Sequence, residues 1–257
     1  MNSSRTIHRY ASAYDLDAAC QQAGDSWTGA RERHELALLR DERRRRSWLR
    51  GRMLAKKLIA ERAIGRTDVD ASGVDLASID ILSRDERGRS SRPRVWCGGV
   101  EQPWSLSISH TETGALVALC LDERISAGID MAECHEPGEG FVRTWLTPGE
   151  QQWIGESGSA DVAGFIWAAK EALYKACNRG ESFDPRRVEV LPRGTCQYGG
   201  RALEGCVLRS WRVENHIAVL ASVQTECLAE IAAGKQQCRH GRESKTIPFS
   251  YDELIHP

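Results

Sequence analysis

The chain has 257 residues, of which 41% are hydrophobic and 28% charged, so it can bury a sizeable core in one large domain or two smaller ones. Its formal net charge of −1 excludes a global basic field that would recruit nucleic acid or an anionic membrane. The nine cysteines form no CxxC pair, which argues against a zinc or thioredoxin-like site and favours a reducing compartment. Because no signal-peptide pattern or long apolar run is present, we predict a soluble cytoplasmic protein.

The first part of the chain predicts two helices behind a weakly patterned segment. Residues 1–30 favour only a short strand near Ile7–Tyr10, whereas Arg31–Ala63 has helical periodicity that is interrupted near Arg40–Glu42. The second helix carries a basic stripe, for which a solvent-exposed face is the simplest explanation and a grip on phosphate groups the alternative. Within Arg43–Lys57 the stripe comprises Arg43, Arg46, Arg50 and Lys57.

A basic loop and a hairpin follow. Ile79–Leu82 predicts a strand, and residues 83–93 predict a Gly/Ser/Arg loop in which guanidinium groups and a glycine backbone could approach a phosphate. The alternation in Trp104–Ser109 predicts a half-buried strand that a Gly-containing turn joins to a second strand. At its end Ser109 and His110 could both donate to an anion. A structural role for the histidine is the alternative.

The segment Ile125–Ala132 predicts a strand whose alternation places Asp130 and Ala132 on one face. A helix–turn–helix is expected over residues 141–154, with Thr147 at the N-cap of the second helix in a capping box.

Phe165–Ala176 predicts a helix, because it is rich in Ala, Leu, Lys and Glu and contains no Gly or Pro. Trp167, Glu171 and Lys175 are spaced four apart on one face. A carboxylate between an aromatic ring and a lysine suits a metal ion or an anionic substrate, and a surface Glu–Lys pair is the alternative. The buried stripe beside this face is expected at Ile166, Ala169, Leu173 and Ala176.

Two similar apolar strands, Ala115–Leu119 and Ile217–Ala221, lie about 100 residues apart, and each follows a long helix containing Lys and Ala. This repetition favours an α+β protein of two similar halves with functional residues gathered between them. Further strands are predicted at Val188–Leu191, Cys206–Val213 and His216–Val223.

Three blocks of the sequence stand in the order found in a known family, namely Ser107-Ile108-Ser109-His110, Gly128-Ile129-Asp130 and Trp167–Ala176. Together they resemble the 4′-phosphopantetheinyl transferases, specifically the surfactin-synthetase-activating (Sfp-type) branch. The resemblance extends approximately over residues 30–254. Supporting segments are Leu49–Leu54, Gly88-Arg89, Phe141–Glu150, Ser182-Phe183 and Ser250–Leu254.

The resemblance implies an α+β fold of two similar halves related by a pseudo-twofold axis, with the active site in the cleft between them. Residues 1–122 would form the N-terminal half with the coenzyme A-binding basic helix and loops, and residues 123–257 the C-terminal half with the metal and catalytic residues. The implied reaction moves the phosphopantetheine arm of coenzyme A onto a serine of an apo acyl, peptidyl or aryl carrier protein and releases adenosine 3′,5′-bisphosphate. The implied protein is a monomer without nucleic-acid or membrane partners.

The resemblance also implies roles for individual residues. Asp130 and Glu171 would bind Mg²⁺, or Mn²⁺ as an alternative ion, and together with Lys175 they are the candidate catalytic residues. Glu171, or a water that it orients, would accept the proton of the incoming serine, and Lys175 would hold a pyrophosphate oxygen. The candidates for coenzyme A binding are Arg84, Arg87, Gly88, Arg89, Ser109, His110, Lys170 and Lys175.

Two features depart from the pattern of the family. Many relatives carry Gly-x-Asp-x-Glu, whereas here Ala132 occupies the second acidic position and Glu133 should point to the other face. We therefore expect two protein carboxylates at the metal, with water in the remaining position. In addition, the phosphate-binding basic residues of the first helical region cannot be matched one by one. The competing candidates are Arg31, Arg33, Arg40 and Arg43.

Two alternatives to an active transferase remain open. One is a nucleic-acid-binding module that uses the basic helix Arg43–Lys57 and gives Asp130 and Glu171 no role. The other is a degenerate transferase that binds coenzyme A or a carrier protein without turnover, which the alanine at position 132 keeps under consideration.

Overall fold

The computed structural model describes residues 6–64, 75–85, 87–178 and 180–232. Internal contacts divide the chain into two compact units, unit 1 (residues 1–123) and unit 2 (residues 124–257). Each combines helices with small antiparallel sheets, which confirms the predicted α+β class. Within the described ranges no helix combines the length and the apolar character needed to cross a membrane. The tail segment Ser250–Leu254 lies outside the described residues.

Unit 1 contains three α-helices and six strands in its described part. The helices are α1 (Ala13–Ala23), α2 (Ala30–Ala37) and α3 (Glu42–Ile59), and α3 continues into a π-helical turn (Ala60–Ile64). The strands are β1 (Thr6–Ser12), β2 (Ile79–Arg84), β3 (Ser90–Cys97), β4 (Val100–Gln102), β5 (Ser105–His110) and β6 (Gly114–Cys120). They form two three-stranded sheets in the orders β1-β6-β5 and β2-β3-β4. Helix α3 packs on the central strand β6.

Three expectations for unit 1 need correction. Helix α1 was not predicted, although Ser12 caps it by accepting a hydrogen bond from the backbone N–H of Asp15. The loop expected at residues 83–93 is a short turn, because β2 and β3 pair from Arg84 opposite Ser90 onward. Strand β5 is buried on its serine side as well, so it is not the half-buried strand that the alternation predicted.

Unit 2 contains four α-helices and six strands in its described part. The helices are α4 (Glu139–Trp145), α5 (Pro148–Ser157), α6 (Ala160–Cys177) and α7 (Thr225–Ala232). The strands are β7 (Ile125–Glu133), β8 (Val188–Leu191), β9 (Thr195–Tyr198), β10 (Arg201–Ala202), β11 (Val207–Val213) and β12 (His216–Gln224). Two three-stranded sheets result, ordered β11-β12-β7 and β10-β9-β8, and α6 packs on β7 and β12. Ile166, Ala169, Leu173 and Ala176 are fully buried, which confirms the predicted stripe.

A buried ion pair links helix to strand in unit 1. Glu32, at the third position of α2, accepts a hydrogen bond from the N-cap backbone N–H of Gly29 at 3.1 Å and forms a salt bridge of 2.5 Å with Lys56 of α3. Its other oxygen accepts from the backbone N–H of Ile81 at 3.0 Å. Burial lowers the pKa of the Lys56 ammonium, whereas the negative charge of Glu32 raises it. One carboxylate thus ties α2, α3 and β2 together.

Unit 2 contains the same arrangement with other residues. Glu150, the capping-box partner of Thr147 in α5, accepts from the Thr147 backbone N–H at 2.8 Å and from Lys170 of α6 at 2.5 Å. Its second oxygen accepts from the backbone N–H of Val190 in β8 at 2.9 Å. Both charged side chains are fully buried. Each unit thus uses a helix-capping glutamate to tie a long helix to a strand of its second sheet, while the pseudo-twofold relation stays a prediction.

The cap of α5 provides a first testable prediction. The Thr147 hydroxyl accepts from the backbone N–H of Glu150 and donates to Glu189 at 2.7 Å. We expect Thr147→Ala to lower the free energy of unfolding by about 1–2 kcal/mol in urea titrations, because both bonds are lost. Thr147→Ser keeps the hydroxyl and serves as the matched control. Equal urea midpoints for the alanine and serine variants would contradict the prediction.

Candidate active site

Three of the predicted site residues meet in unit 2. Asp130, in the middle of β7, is 5% exposed, and its Oδ1 accepts a hydrogen bond of 2.6 Å from Nζ of Lys175. The same ammonium donates to the backbone carbonyl of Ile129 at 3.2 Å. Glu171, one turn before Lys175 on α6, lies close enough to Asp130 for the charge of that carboxylate to raise its pKa. The strand and the helix therefore bring two carboxylates and an ammonium into one group.

The glycine of the Gly128-Ile129-Asp130 block explains how close α6 comes to β7. A Cβ atom on Gly128 would lie 1.9 Å from the carbonyl oxygen of Ala172 and 2.6 Å from the backbone nitrogen of Ala176. Only a residue without a side chain allows this approach. Asp130 lies two positions further along the same face of β7, where alternation directs it toward the helix that carries Glu171.

The electrostatic environment of Glu171 is strongly perturbed. Burial of the side chain and then the negative charge of Asp130 raise the pKa of Glu171 to about 7, although the charge of Lys175 acts in the opposite direction. Two neighbouring buried carboxyl groups can both be ionised at low energetic cost only if a cation balances their charges. The ammonium of Lys175 supplies such a cation. The group is therefore suited to hold positive charge.

Aromatic side chains support the position of Glu171. The indole N–H of Trp167, one turn before Glu171 on α6, donates to the carboxylate. The Trp167 ring makes edge contacts with Phe141 and Phe183, at centroid distances of 4.8 and 5.8 Å. Such edge-to-face contacts fix the orientation of a ring. Sequence reasoning noted the spacing of Trp167 but did not include it among the site residues.

The segment that carries Phe183 is held by two tyrosines. Tyr174 of α6 donates its hydroxyl to the backbone carbonyl of Glu181 at 2.6 Å, and Tyr198 of β9 donates to the Glu181 carboxylate at 2.5 Å. Burial, followed by the bond to Glu181, raises the pKa of Tyr198. Phe183 also packs against the ring of Tyr174 at 4.8 Å. These contacts connect the second sheet of unit 2 to the side of the candidate site.

The donor set at this group fits a hard divalent ion that needs few protein ligands. Within the part of the chain that the structure describes, no three His, Cys, Asp or Glu side chains are grouped so as to hold a metal. Glu133, one position beyond Ala132, is an exposed residue whose carboxylate lies 3.8 Å from His135. Asp130 and Glu171 remain as two carboxylates. Mg²⁺ accepts one or two carboxylates when phosphate oxygens and waters complete its shell.

The turn between β2 and β3 contains three predicted residues for binding coenzyme A, and a fourth, Arg84, ends β2. Asp85 closes the turn. The Asp85 carboxylate accepts from the backbone N–H groups of Arg87 and Arg89 at 3.0 and 2.8 Å and from Nε of Arg89 at 2.8 Å. The bonds from the backbone and then the side chain of Arg89 lower the pKa of Asp85. Arg84 donates to the carbonyl of Gly88, whose φ of 74° favours glycine. A phosphate bound by Arg89 would therefore compete with Asp85.

Ser109 and His110 end strand β5 but differ in exposure. Ser109 is buried opposite Leu116 of β6, whereas His110 is exposed opposite Ala115. Because consecutive residues of a strand point to opposite faces, the structure does not direct these two side chains to one point. Their roles in binding stay predictions.

Lys170 does not join the group around Asp130. Its ammonium is fully buried in the ion pair with Glu150, and that burial lowers its pKa. The structure therefore places Lys170 in the interior of unit 2, and its predicted role in binding coenzyme A stays a prediction. Lys175, five positions further on, points to a different face of α6 and does reach the site.

The basic residues of α3 largely bind acceptors within unit 1. Arg50 forms two hydrogen bonds with Asp17, at 2.7 and 2.5 Å. Arg52 is buried and donates from Nε to the backbone carbonyl of Ile81 at 3.0 Å. Other basic side chains of the helix that bond to acceptors of this unit are Arg43, Arg45 and Lys56. Much of the positive charge is thus matched internally, which weakens the nucleic-acid interpretation.

Comparisons with known proteins bear on unit 2. A model of the 4′-phosphopantetheinyl transferase superfamily matches residues 126–227, a range that includes Asp130, Glu171 and Lys175. No curated protein sequence gives a significant match. For residues 126–227 the resemblance expected from the sequence is thereby confirmed at the level of the superfamily, while its extension over residues 30–254 and the surfactin-synthetase-activating branch stay predictions. Residues 126–227, which contain the whole group around Asp130, are similar to the 4′-phosphopantetheinyl transferase superfamily.

Proposed function

We propose that this protein is a Mg²⁺-dependent 4′-phosphopantetheinyl transferase. Its substrates would be coenzyme A and an apo carrier protein, and its products the holo carrier and adenosine 3′,5′-bisphosphate. The observation that carries the proposal is the meeting of Asp130, Glu171 and Lys175 within the range that matches the superfamily. The alternative interpretation, a surface Glu–Lys pair on α6, would not need the second, buried carboxylate of Asp130 beside it.

In this proposal each of the three residues has a separate task. Asp130 and Glu171 would hold Mg²⁺, which when bound would supply positive charge next to the pyrophosphate of coenzyme A and so favour departure of the bisphosphate. Glu171, or a water that it orients, accepts the proton of the carrier serine. The serine oxygen attacks the phosphorus of coenzyme A that carries the pantetheine arm. Lys175 donates to a pyrophosphate oxygen. The bond that breaks joins that phosphorus to the oxygen of the departing bisphosphate.

The proposal is tested by incubating the protein with coenzyme A, Mg²⁺ and apo carrier proteins of several types. We expect the mass of at least one carrier to increase by that of the phosphopantetheine group. Removal of divalent ions with a chelator should abolish the increase, and added Mg²⁺ or Mn²⁺ should restore it. Absence of the mass increase on every carrier would overturn the proposal.

Two further measurements separate the alternatives. A non-catalytic binder would bind coenzyme A in calorimetry without modifying any carrier. A nucleic-acid-binding module would bind duplex DNA with a steep dependence on salt concentration, and Arg43→Gln would weaken that binding. Because several basic residues of α3 are already bonded within unit 1, we expect no such binding at physiological salt.

Trp167 provides a prediction about the support of the site. Trp167→Phe keeps an aromatic ring between Phe141 and Phe183 but removes the N–H that bonds Glu171. We expect the transfer rate to fall by about tenfold, the effect of losing one hydrogen bond to a charged group. Trp153→Phe, elsewhere in unit 2, is the matched control and should leave the rate unchanged. Equal rates for both variants would show that the indole bond does not support catalysis.

A further inference from the structure

We infer that Lys175 occupies the cation position of the site until a divalent ion replaces it, so that binding of the metal moves this lysine from Asp130 to the phosphate of the substrate. The inference rests on the proposed function, because it assigns the metal to Asp130 and Glu171. It adds an exchange between two cations at one carboxylate. The lysine would be a competitor of the metal in the absence of substrate and a substrate ligand in its presence.

The geometry places the ammonium where a cation is needed. Nζ of Lys175 lies 2.6 Å from Oδ1 of Asp130, a charge-assisted contact that would bring two positive charges to one oxygen if a metal ion bound there as well. The carbonyl of Ile129, at 3.2 Å, gives the ammonium a second oxygen acceptor. Two oxygens, one charged and one from the backbone, are also the kind of ligands that a hard metal ion prefers. The ammonium therefore imitates part of a metal's coordination.

The burial of the two partners favours an exchange over a permanent pair. The Asp130 side chain is 7% exposed, so its charge requires a nearby cation at all times. The Lys175 side chain is 27% exposed, so it can leave without crossing the core. In contrast, the ion pair of Lys170 with Glu150 is fully buried on both sides and has no room to open. Of these two lysines of α6, only Lys175 can move.

The exchange has a direct consequence for affinity. A ligand that must displace an internal competitor binds with an apparent affinity reduced by the population of the competing state. Removing the ammonium should therefore tighten metal binding in the absence of coenzyme A, whereas a lysine that only supports the metal site would give the opposite result. Removal should also weaken transfer, because the phosphate contact is lost. The two effects have opposite signs.

The test measures Mn²⁺ binding to the full-length protein by electron paramagnetic resonance without coenzyme A. We expect Lys175→Met to bind Mn²⁺ about tenfold more tightly than the unaltered protein, the size of one charge-assisted contact. Lys175→Arg retains a cation near Asp130 and should bind as weakly as the unaltered protein. Arg193→Gln, in the turn between β8 and β9, controls for net charge and should have no effect. Equal or weaker binding by Lys175→Met, or no binding by any variant, would overturn the inference.

A second measurement on the unaltered protein removes the dependence on a variant that fails to fold. Acylation of lysines, followed by mass spectrometry, should show Lys175 reacting severalfold faster with Mn²⁺ than without it, while the exposed Lys57 keeps its rate. An unchanged rate at Lys175 would contradict the exchange. The transfer assay remains independent of both measurements. If the unaltered protein modifies a carrier but Lys175→Met binds Mn²⁺ no more tightly, the proposed function stands and the exchange is wrong. If Lys175→Met binds Mn²⁺ more tightly but no carrier is modified, the exchange stands and the proposed function is wrong.

Discussion

Glu171→Gln is expected to lower the rate of phosphopantetheine transfer by about 10²- to 10⁴-fold, the range found for loss of a general base. The amide has nearly the shape of the carboxylate, and its oxygen can still accept the N–H of Trp167. It cannot accept the proton of the carrier serine, and it is a weaker ligand for a hard cation than a carboxylate. The measurement is the initial rate of holo-carrier formation at saturating coenzyme A and Mg²⁺.

Glu133→Gln is the matched control for this substitution. Glu133 ends β7 and is exposed near His135, and it lies on the face opposite that of Ala132. The same chemical change at this position should leave the rate unchanged. A rate for Glu171→Gln close to that of the unaltered protein would remove Glu171 from the catalytic group. A large loss in Glu133→Gln would instead indicate that this carboxylate takes the role that Ala132 cannot fill.

The same substitution also has an expected effect on stability. Because the pKa of Glu171 is raised to about 7 in the folded protein, above its value in an unfolded chain, folding is penalised once the pH exceeds the unfolded value. Glutamine carries no such penalty. In the presence of a chelator, the stability advantage of Glu171→Gln should therefore grow between about pH 4.5 and 7 and reach roughly 1–3 kcal/mol above that range. Urea titrations at pH 5 and pH 8 measure it, and equal differences at both would contradict it.

Local signals were sufficient to predict several elements that position the site. The composition of the segment around Glu171 predicted α6, and Thr147 with Glu150 predicted the capping box that begins α5. Alternation in β7 predicted that Asp130 points away from Ile129. Each of these signals depends on residues within a few positions of one another. Helix α1 escaped prediction although Leu16, Ala19, Cys20 and Ala23 recur at helical spacing and pack against the core of unit 1. Three of these four side chains are small, and only Leu16 is fully buried, so the apolar signal is weak.

Contacts between distant segments could not be predicted in the same way. Lys170 and Lys175 both follow the same helical pattern, yet one pairs with Glu150 inside unit 2 and the other with Asp130. The difference arises from which strand or helix packs against each face of α6. Alternation along β5 placed Ser109 and His110 on opposite faces, but it did not predict that the serine face would be buried and His110 exposed. The candidate site residues were therefore easier to predict from the sequence than the residues that pair with them and fix their positions.

Gly128→Ala is expected to damage both stability and catalysis, although alanine is the smallest possible addition. The new Cβ would lie 1.9 Å from the carbonyl oxygen of Ala172, so β7 and α6 must separate. We expect a loss of about 3 kcal/mol in the free energy of unfolding, the upper end for overpacking of a core. Separation would also lengthen the 2.6 Å contact of Lys175 with Asp130, so the transfer rate should fall by about 10²-fold or more.

The nature of the clash determines the controls. Because the obstructing atom belongs to the backbone, Ala172→Gly should not rescue Gly128→Ala, whereas a clash with a flexible side chain would be relieved by trimming it. Gly155→Ala, inside α5, places a Cβ with no atom within 4 Å and should stabilise the protein by about 0.5–1 kcal/mol. Urea unfolding, with amide hydrogen exchange of the β7 and α6 peptides, measures these effects. A urea midpoint for Gly128→Ala equal to that of the unaltered protein would show that the glycine does not set the distance between Asp130 and the helix that carries Glu171.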